Sequence, residues 1–585
     1  MKAYITSAIF CLLALSCSSN SNHSPTTDSS CNNVGTVVNP ECTTEVGGNG
    51  EYVYPIGIPP VDWSIDPIKE PSPSRPAGWP NEATESYYFI DPSHAAATDS
   101  NNPYGTPNLP RTSFPPNPIT AGSYIELGGS GFVDRYRLRF QCTAQAPCWL
   151  KGENRDNLPT ITGQFTVEDA TYLFMEHLDF NGGDGGAIAI IGMNSHHVTI
   201  RDSYIQNRRY VSHTSGIGIT PNTGGTIHDV FIYNNVFREL GVWQNALDED
   251  FHGIAPNVAG RNASTEEFNV WILNNTFYHI SGNGVQVVAG NWPNSYQYLH
   301  HIYIGKNLAY ENRQAGFWSK QSSDVIMSQN MSHSHRQYGG GMGDGIGYQY
   351  GPNNLWIIFN NLSDSNFGIR QSDTSPGFEQ NRAYIVGNLI HNIHPEPGYA
   401  YDPNIFWRPG VGISLWGGVM QRFIADNTIY NTRGGISLVF DGPATISGNI
   451  ISGIDDSDYF VSAFLGGRSG AAQLDNLLFY NPSGIARFRW DSNKYYDNID
   501  SFIADTGQCV NECLNADPLF QDPDATPPNL RLSQGSPAQD PTSSRAIDVY
   551  EIFQSLYGID IRKDFTGQAR PSGVSIDYGA YELIQ

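Results

Sequence analysis

A glycine recurs once per repeat through the middle of the chain, and residues capable of chemistry stand at fixed distances from it. Directly before it come His252, Asn283 and Asp344, two residues after it come Gln286, Trp318 and Arg370, and four residues after it come Lys320, Gln349 and Trp416. Aromatic rings stack on sugar rings, and amides and charges bind hydroxyl and carboxylate groups. The sequence therefore predicts a polar face that binds an elongated saccharide.

Two cations of this set, Lys320 and Arg370, fit one reaction. β-Elimination of a uronate-containing glycan needs a group that neutralises the carboxylate, a base for the C5 proton and an acid for the leaving 4-oxygen. Lys320 could be the base if a neighbouring cation lowers its pKa. Arg370, two repeats or about 10 Å away, could bind the carboxylate through two hydrogen bonds. His252, Tyr348 or Tyr350 could be the acid, and the two tyrosines are also predicted to contact the substrate, although strict alternation turns Tyr348 inward.

An acidic cluster of Asp248, Glu249 and Asp250 precedes His252. Three carboxylates on one loop could hold Ca²⁺, a hard cation that prefers oxygen ligands. Alternatively, Asp250 or Glu249 could work with Asp344 as the acid and base of a glycoside hydrolase. A solvated acidic loop is the third interpretation.

The elements that must position these residues repeat along the chain. A short apolar phrase ends in Asn and then another apolar residue, as in VFIYNNVF at Val230 and VWILNNTF at Val270. The equivalent residues are Asn235, Asn275, Asn307, Asn330, Asn361, Asn388, Asn427 and Asn449, spaced 22 to 40 residues apart. Repeats of that length made of short strands indicate a solenoid, in which stacked Asn side chains bond to one another at a corner.

The glycine column marks a second strand in each repeat. The residue after the glycine is apolar in every case, and the pattern has a period of two rather than that of a helix. These residues, predicted to point inward, are Ile217, Ile254, Val285, Phe317, Ile346, Ile369, Ile413 and Ile436. The residues of the polar face then point outward on successive coils.

The C-terminal region carries a resemblance. NADPLF at Asn515, LRLSQGSPA at Leu530 and DFTGQARPSGVSIDYGAYE at Asp564 closely resemble the closing segment of secreted bacterial right-handed parallel β-helix repeat proteins. The resemblance covers roughly residues 85–585. It implies an all-β chain folded as one single-stranded right-handed parallel β-helix with irregular loops and terminal caps.

A second resemblance concerns the reaction. ENRQAGFWSKQSSDVIMSQN resembles the segment of alginate, chondroitin and pectate lyases that carries the catalytic lysine, here Lys320. Those lyases usually have an arginine one coil after the lysine, whereas Tyr348, Gln349 and Tyr350 occupy that stretch here. The resemblance implies a polysaccharide lyase.

The first residues resemble a bacterial lipoprotein signal. Lys2 precedes an apolar run from Ile5 to Leu15 that is too short to span a bilayer permanently. The run ends in ALSC, with Cys17 as the residue that would receive lipid and Ala14 where Leu is more usual. Ser18 after the Cys implies the outer membrane, and an ordinary signal peptide is the alternative.

The domain prediction follows. Residues 1–17 are the signal, residues 18–84 a flexible tether and Pro-rich lead-in, and residues 85–585 the β-helix, with central coils at about 170–455 and the closing segment at about 456–585. Six further cysteines form close pairs, which predict three local disulfides in an exported chain. The pairs are Cys31 and Cys42, Cys142 and Cys148, and Cys509 and Cys513.

Charge narrows the partners. A formal net charge of −25 argues against nucleic acid as a partner. We expect a monomer whose partner is a polysaccharide and whose membrane contact is the lipid anchor alone. Three functional hypotheses remain: a lyase for an anionic glycan, a glycoside hydrolase of the same fold, and a non-catalytic surface protein that binds glycans.

Overall fold

The computed structural model describes residues 52–209, 213–244, 250–290, 295–336, 341–372, 379–397, 409–439, 442–455, 457–464, 472–491, 494–509, 511–542 and 547–584. The chain is a right-handed parallel β-helix, as the repeats predict. Nearly all strands pair in parallel with the strand one coil earlier and the strand one coil later. Three columns of strands result.

Column one carries the polar face. Its strands are Arg135–Leu138, Gln164–Glu168, the first part of Ile188–Arg201, the first part of Thr214–Tyr233, Phe251–Pro256, Asn283–Val288, Ala315–Lys320, Asp344–Gln349, Phe367–Ser372, Val411–Trp416, Gly434–Val439, Val461–Phe464 and Phe488–Trp490. The last of these pairs in antiparallel fashion with Lys494–Tyr496.

Column two follows each strand of column one after a corner. Its strands are Tyr87–Ile90, Tyr124–Leu127, Cys148–Gly152, Thr171–Glu176, the second parts of Ile188–Arg201 and Thr214–Tyr233, Glu266–Leu273, Leu299–Gly305, Ser323–Ser328, Asn353–Ile358, Arg382–Val386, Gln421–Ala425, Ala444–Ser447 and Ala472–Asp475. Two short strands, Ile119–Thr120 and Phe140–Gln141, pair beside its first coils.

Column three is a sheet of 13 parallel strands. They are Thr160–Ile161, Asp179–Asn181, Tyr204–Arg208, Val236–Leu240, Thr276–Ile280, Leu308–Tyr310, Met331–His333, Asn361–Ser363, Leu389–His391, Thr428–Thr432, Ile450–Ile454, Leu477–Tyr480 and Cys513–Asn515. The remaining elements are the helices Ile499–Thr506 and Val549–Tyr557, the 3₁₀ turn Ser295–Tyr298, and the hairpin Phe520–Asp522 with Asn529–Leu532.

A ladder of buried asparagines forms the corner between columns two and three. The Asn307 amide, for example, donates to Asn330 Oδ1 (3.0 Å) and to the Ile272 carbonyl (2.8 Å). One predicted member is wrong: Asn360, not Asn361, accepts from the backbone and amide of Asn330. Two asparagines follow one another here, and only the first lies five residues after the inward apolar residue of its strand, as Asn235 does. Asn361 begins the next strand and is half-buried.

The glycine column marks the closest approach of columns one and three. A Cβ added to Gly253 would lie 2.6 Å from the Phe277 ring, and one added to Gly368 would lie 2.6 Å from the Ile390 side chain. The residues predicted to point inward after each glycine are all buried in the main core. Glycine therefore lets one coil close tightly, which explains its recurrence.

The lead-in, residues 52–84, packs against the outer side of column two. Its first described residue, Tyr52, donates to Asn274 Oδ1 (3.1 Å). The chain reaches Gln329, whose Oε1 accepts from the Ile56 N–H (3.0 Å), and then runs back toward the first coils. Further along, the Pro59 carbonyl accepts from Trp271 (2.9 Å), the Pro67 carbonyl accepts from Arg201 (2.9 Å), and Arg75 pairs with Glu126 (2.6 Å). The described part of the lead-in thus belongs to the folded unit.

The closing segment covers the C-terminal part of the same surface. Helix Val549–Tyr557 places Phe553 edge-on to Trp356, with ring centroids 4.7 Å apart. Arg570 is fully buried and donates to Glu582 (2.8 Å). The cysteine pairs Cys142–Cys148 and Cys509–Cys513 are disulfide-bonded as predicted, whereas the pair Cys31 and Cys42 and the lipidation site Cys17 lie outside the described residues. Over the described residues, no helix is both long and apolar enough to cross a membrane.

Candidate functional site

The strand register of column one aligns the predicted polar residues in rows. One row runs through Gln286, Trp318, Gly347 and Arg370 on four successive strands. A neighbouring row runs through Val288, Lys320, Gln349 and Ser372. Lys320 and Arg370 therefore lie on the same outer face, two strands or about 10 Å apart along the helix axis.

Arg370 is held in one orientation by three neighbours. Its Nε and Nη2 donate to the two carboxylate oxygens of Asp344, at 2.6 and 2.7 Å. Its guanidinium carbon lies 5.0 Å from the centroid of the Trp318 ring and 5.6 Å from that of Phe367. Two of its five N–H groups are used on Asp344, so the outer edge keeps donors for a further acceptor.

Asp344 is the buried partner in this pair. Burial raises the pKa of the Asp344 carboxyl, and the Arg370 guanidinium offsets part of that rise. Both carboxylate oxygens accept from Arg370, so a role as the acid or base of a hydrolase would require this ion pair to open. The role predicted for Asp344 as a catalytic residue stays a prediction.

Trp318 lies flat against the next coil. A Cβ at Gly347 would lie 2.1 Å from the Trp318 ring, so the ring occupies the space above that glycine. Only 5% of Trp318 is exposed. Its observed contacts are therefore with Gly347 and Arg370, and a sugar could stack on this ring only if Arg370 moved.

His252, Asn283 and Gln286 form a closed hydrogen-bonded triangle. The Asn283 backbone N–H donates to His252 Nδ1 (2.9 Å), and the Gln286 amide lies 2.9 Å from His252 Nε2 and 2.9 Å from the Asn283 amide. All three residues are buried. Burial, with the positive charge of Lys320 as a smaller cause, holds the pKa of His252 well below its ordinary value. The ring is therefore neutral.

Lys320 ends its strand beside this triangle and is half-buried. Its neighbours in register are Val288 on one side and Gln349 on the other. The strand is followed by a corner of only two residues, Gln321 and Ser322, before the next strand begins. Lys320 thus lies directly before a short corner and not beside a long loop.

Asp250 is the one member of the acidic cluster within the described residues; Asp248 and Glu249 lie outside them. Its Oδ1 accepts from Arg313 Nη2 (2.6 Å) and from the Gln314 amide, and its Oδ2 lies 3.6 Å from His213 Nδ1. Within the described ranges, no three His, Cys, Asp or Glu side chains come together as a metal site would require. A Ca²⁺ site at this cluster stays a prediction.

Tyr348 must be removed from the predicted substrate contacts. Its side chain is fully buried in the main core, because it stands at an inward position of its strand. Gln349, on the outer side of its strand, and Tyr350, which follows the strand, are both half-buried, and Trp416 is 42% exposed. Trp416 is thus the aromatic residue of the predicted set that is open to a sugar ring.

Sequence reasoning missed Arg313, Gln314 and Gly347. Arg313 is fully buried and lies in the turn before its strand, where the repeat pattern ends. Gly347 has no functional group, and its role emerges only from the ring of Trp318 on the preceding strand. The sequence signal that could have identified Gly347 is its outward position in the row between Trp318 and Arg370.

Comparison with known proteins gives likeness to solved β-helix structures alone. No protein-family model matches the chain, and no curated protein matches it. A GH136 lacto-N-biosidase from Eubacterium ramulus shares 13% identity at a TM-score of 0.40, over 73% of this chain and 68% of that one. The pectate lyase Pel9A shares 13% identity at a TM-score of 0.34, over 85% and 96%.

A further solved structure is a mannuronic acid specific polysaccharide family 6 lyase from the human gut microbiota. It shares 11% identity at a TM-score of 0.33, over 62% of this chain and 82% of that one. Likeness at this level does not identify a reaction.

Proposed function

We propose that the protein is a carbohydrate-active enzyme that cleaves an anionic, uronate-containing polysaccharide by β-elimination. The observation that carries the proposal is the placement of Lys320 and Arg370 on one outer face, with Arg370 preset by Asp344 and Trp318. A glycan lying along column one would meet Lys320, Gln349, Arg370 and Trp416 on four successive strands.

In the proposed reaction, the free donors of Arg370 bind the uronate carboxylate and stabilise the charge that develops on it. The Lys320 amine takes the C5 proton, the C4–C5 double bond forms, and the C4–O4 bond breaks. A proton then passes to the leaving oxygen. Tyr350 is the candidate donor, because Tyr348 lies in the core and both ring nitrogens of His252 are hydrogen-bonded.

A hydrolase remains the second candidate because burial raises the pKa of Asp344, as a general acid requires. The partner carboxylate would be Asp250 or Glu249. Asp250 precedes a strand three coils before that of Asp344, and its carboxylate is bonded to Arg313 and Gln314. The ion pairs of Asp344 with Arg370 and of Asp250 with Arg313 also favour the lyase.

The test is an assay of the exported chain on uronate and neutral polysaccharides. Ultraviolet absorbance from a new C4–C5 double bond supports the lyase, reducing ends without that absorbance indicate a hydrolase, and binding without either product indicates a glycan-binding protein. Lys320→Ala should lower kcat by about 10²-fold or more. Lys306→Ala is the matched control, since Lys306 is a half-buried lysine at another corner whose Nζ donates to the Val53 carbonyl.

The sequence also supports proposals on modification, location, oligomeric state and metal binding. We propose lipidation at Cys17, an outer-membrane location and a monomeric state, with Ca²⁺ at the loop of Asp248, Glu249 and Asp250. Mass spectrometry of the N-terminal peptide tests the lipid. Activity that a chelator leaves unchanged would contradict the proposed Ca²⁺ site.

A further inference from the structure

A buried arginine occupies an apolar position of the core. Arg422 is 1% exposed and points inward from the strand Gln421–Ala425. In register with it, the other coils from Val198 to Ala472 place apolar residues, namely Val198, Val230, Val270, Ile302, Val325, Leu355, Ala383, Ala444 and Ala472. Burial lowers the pKa of Arg422 to about 10, so its guanidinium is still charged at neutral pH. A charge inside a core costs stability, so packing alone does not account for this residue.

The guanidinium of Arg422 holds the turn that follows Trp416. Its Nη2 donates to the Gly417 carbonyl (2.6 Å), and its Nη1 donates to the Met420 carbonyl (2.6 Å). Its Nε donates to Gln371 Oε1 (2.8 Å), and the Gln371 amide donates to the same Gly417 carbonyl (2.9 Å). The turn begins with two glycines, both at positive φ, and a glycine backbone has many accessible conformations. Arg422 and Gln371 restrict this backbone to one of them.

The side chain at the start of this turn, that of Trp416, lies on the polar face. Leu415 pairs with Gln371, which places Trp416 beside Ser372 in the row of Lys320. Three strands separate Trp416 from Lys320, about 14 Å along the helix axis. Trp416 is 42% exposed, and a large ring open to solvent beside polar groups suits the apolar face of a sugar.

We propose that Arg422 is a positioning residue that fixes Trp416 as a rigid platform for one sugar ring, three strands from Lys320. Arg422 itself is buried beneath the turn, so it acts on a ligand only through Trp416. The platform lies away from the reacting bond and contacts the substrate and the transition state alike. Its loss should therefore raise KM and leave kcat unchanged.

This inference rests on the proposed function for its ligand, but the position of the ring can be measured without any ligand. The full chain is labelled with fluorotryptophan, and the fluorine NMR spectrum of Trp416→Phe identifies the Trp416 signal. Arg422→Leu gives this coil the residue that Leu355 supplies at the same position two coils earlier. We expect one narrow Trp416 signal in the parent and a shifted, broadened or split signal in Arg422→Leu. An unchanged signal would overturn the inference.

Two further variants support that measurement. Arg422→Lys replaces the planar fork of donors with a single nitrogen, so it should change the Trp416 signal even if the leucine variant does not fold. Gln421→Ala is the local control, because the Gln421 side chain is half-buried and its Nε2 faces the Glu379 carbonyl (3.5 Å) instead of the turn. This control should keep the signal of the parent.

Kinetics on a uronate polysaccharide decide whether Arg422 acts through Trp416. Trp416→Ala and Arg422→Leu should each raise KM about tenfold and keep kcat, and the double variant should raise KM no further. An unchanged KM in Arg422→Leu, a loss of kcat, or effects that multiply in the double variant would overturn the inference. If the parent chain cleaved no polysaccharide, the proposed function would fail, and the fluorine spectrum would still decide whether Arg422 positions Trp416.

Discussion

Residue 347 must be glycine because the ring of Trp318, on the preceding strand, occupies the space of a side chain there. Gly347→Ala places a methyl group 2.1 Å from the resting position of the Trp318 ring, so the ring must move and Arg370 must lose its stacking partner. We expect KM for a uronate polymer to rise about tenfold, a loss of about 1.4 kcal/mol of binding.

Gly218→Ala is the control, since Gly218 stands in the same row and its added methyl would meet only the Ser215 hydroxyl at 3.1 Å. This variant should keep the parent KM. Equal KM values for Gly347→Ala and the parent would show that Trp318 does not position Arg370.

At this scale the sequence predicted which side chains share a face but not how each is held. The alignment on glycine placed Lys320, Arg370 and Trp318 correctly because a period of two and a constant register fix direction. It could not show that Asp344 reaches Arg370 on the next strand, since that contact depends on side-chain conformation. The inward Tyr348 follows the alternation, and its assignment to substrate went against that rule.

Among the elements, the asparagine ladder is the most cooperative. Removing the Asn307 side chain takes away the acceptor of the Asn275 backbone N–H and the side-chain donor to the Ile272 carbonyl, both in the core. Asn307→Ala should lower the free energy of unfolding by about 2–4 kcal/mol, because each buried unsatisfied group costs about 1–3 kcal/mol. Chemical denaturation measures the change.

Asn361→Ala is the comparison, because Asn361 is half-buried and has one side-chain contact, with His391 at 3.1 Å. Its cost should be about 1 kcal/mol or less. The sequence predicted the ladder from spacing alone, and it misplaced this one member because two adjacent asparagines both fit the phrase. A larger loss for Asn361→Ala than for Asn307→Ala would contradict the register described here.

The position of the C-terminal helix Val549–Tyr557 cannot be predicted from the repeats. Phe553 is fully buried and meets Trp356 with ring centroids 4.7 Å apart. Phe553→Ala should cost about 3–5 kcal/mol of stability. Leu556→Ala, at a residue that is 44% exposed on the same helix, should change stability by less than about 0.5 kcal/mol, and a similar loss for both would show that the helix does not pack as described.

For the whole molecule, buried histidines set the response to acid. Burial lowers the pKa of His335 to about 3 and those of His196 and His391 to about 4. Below about pH 6.5 the unfolded chain binds protons that these folded side chains do not. Stability is therefore fully present above that pH and is lost as the pH falls toward 4.

A raised carboxyl pKa works in the opposite direction. Burial raises the pKa of Asp577 to about 6, so this group favours the folded state as the pH falls through 6. Among the described residues, eight histidines have a lowered pKa and three carboxyls, Asp577, Asp344 and Glu267, have a raised one, so we expect Tm to decrease from pH 6.5 to pH 4 in thermal scans. His335→Asn should make that decrease shallower and keep an acceptor for the Asn312 N–H, whereas a change at the exposed His94 should not. A Tm that rises on acidification would contradict this assignment.

The overall architecture could be predicted because the same pattern of apolar residues, glycine and asparagine recurs in many coils. The packing of the lead-in on column two could not be predicted, since the lead-in has no repeat. Its proline-rich composition indicates an extended chain but does not indicate which surface that chain covers. Its bonds to Gln329, Trp271 and Arg201 join residues far apart in sequence. Such contacts are invisible to local patterns.

The path of the lead-in sets an order of assembly. Coils of a solenoid contact only their neighbours and can form one after another, but residues 52–75 bind coils that extend from Glu126 to Gln329. The lead-in therefore finds its complete binding surface only after some 250 later residues have folded. Until then, the aromatic surface of Phe231, Trp271 and Tyr303 is uncovered, so this surface is protected from contact with other chains only once the lead-in has bound.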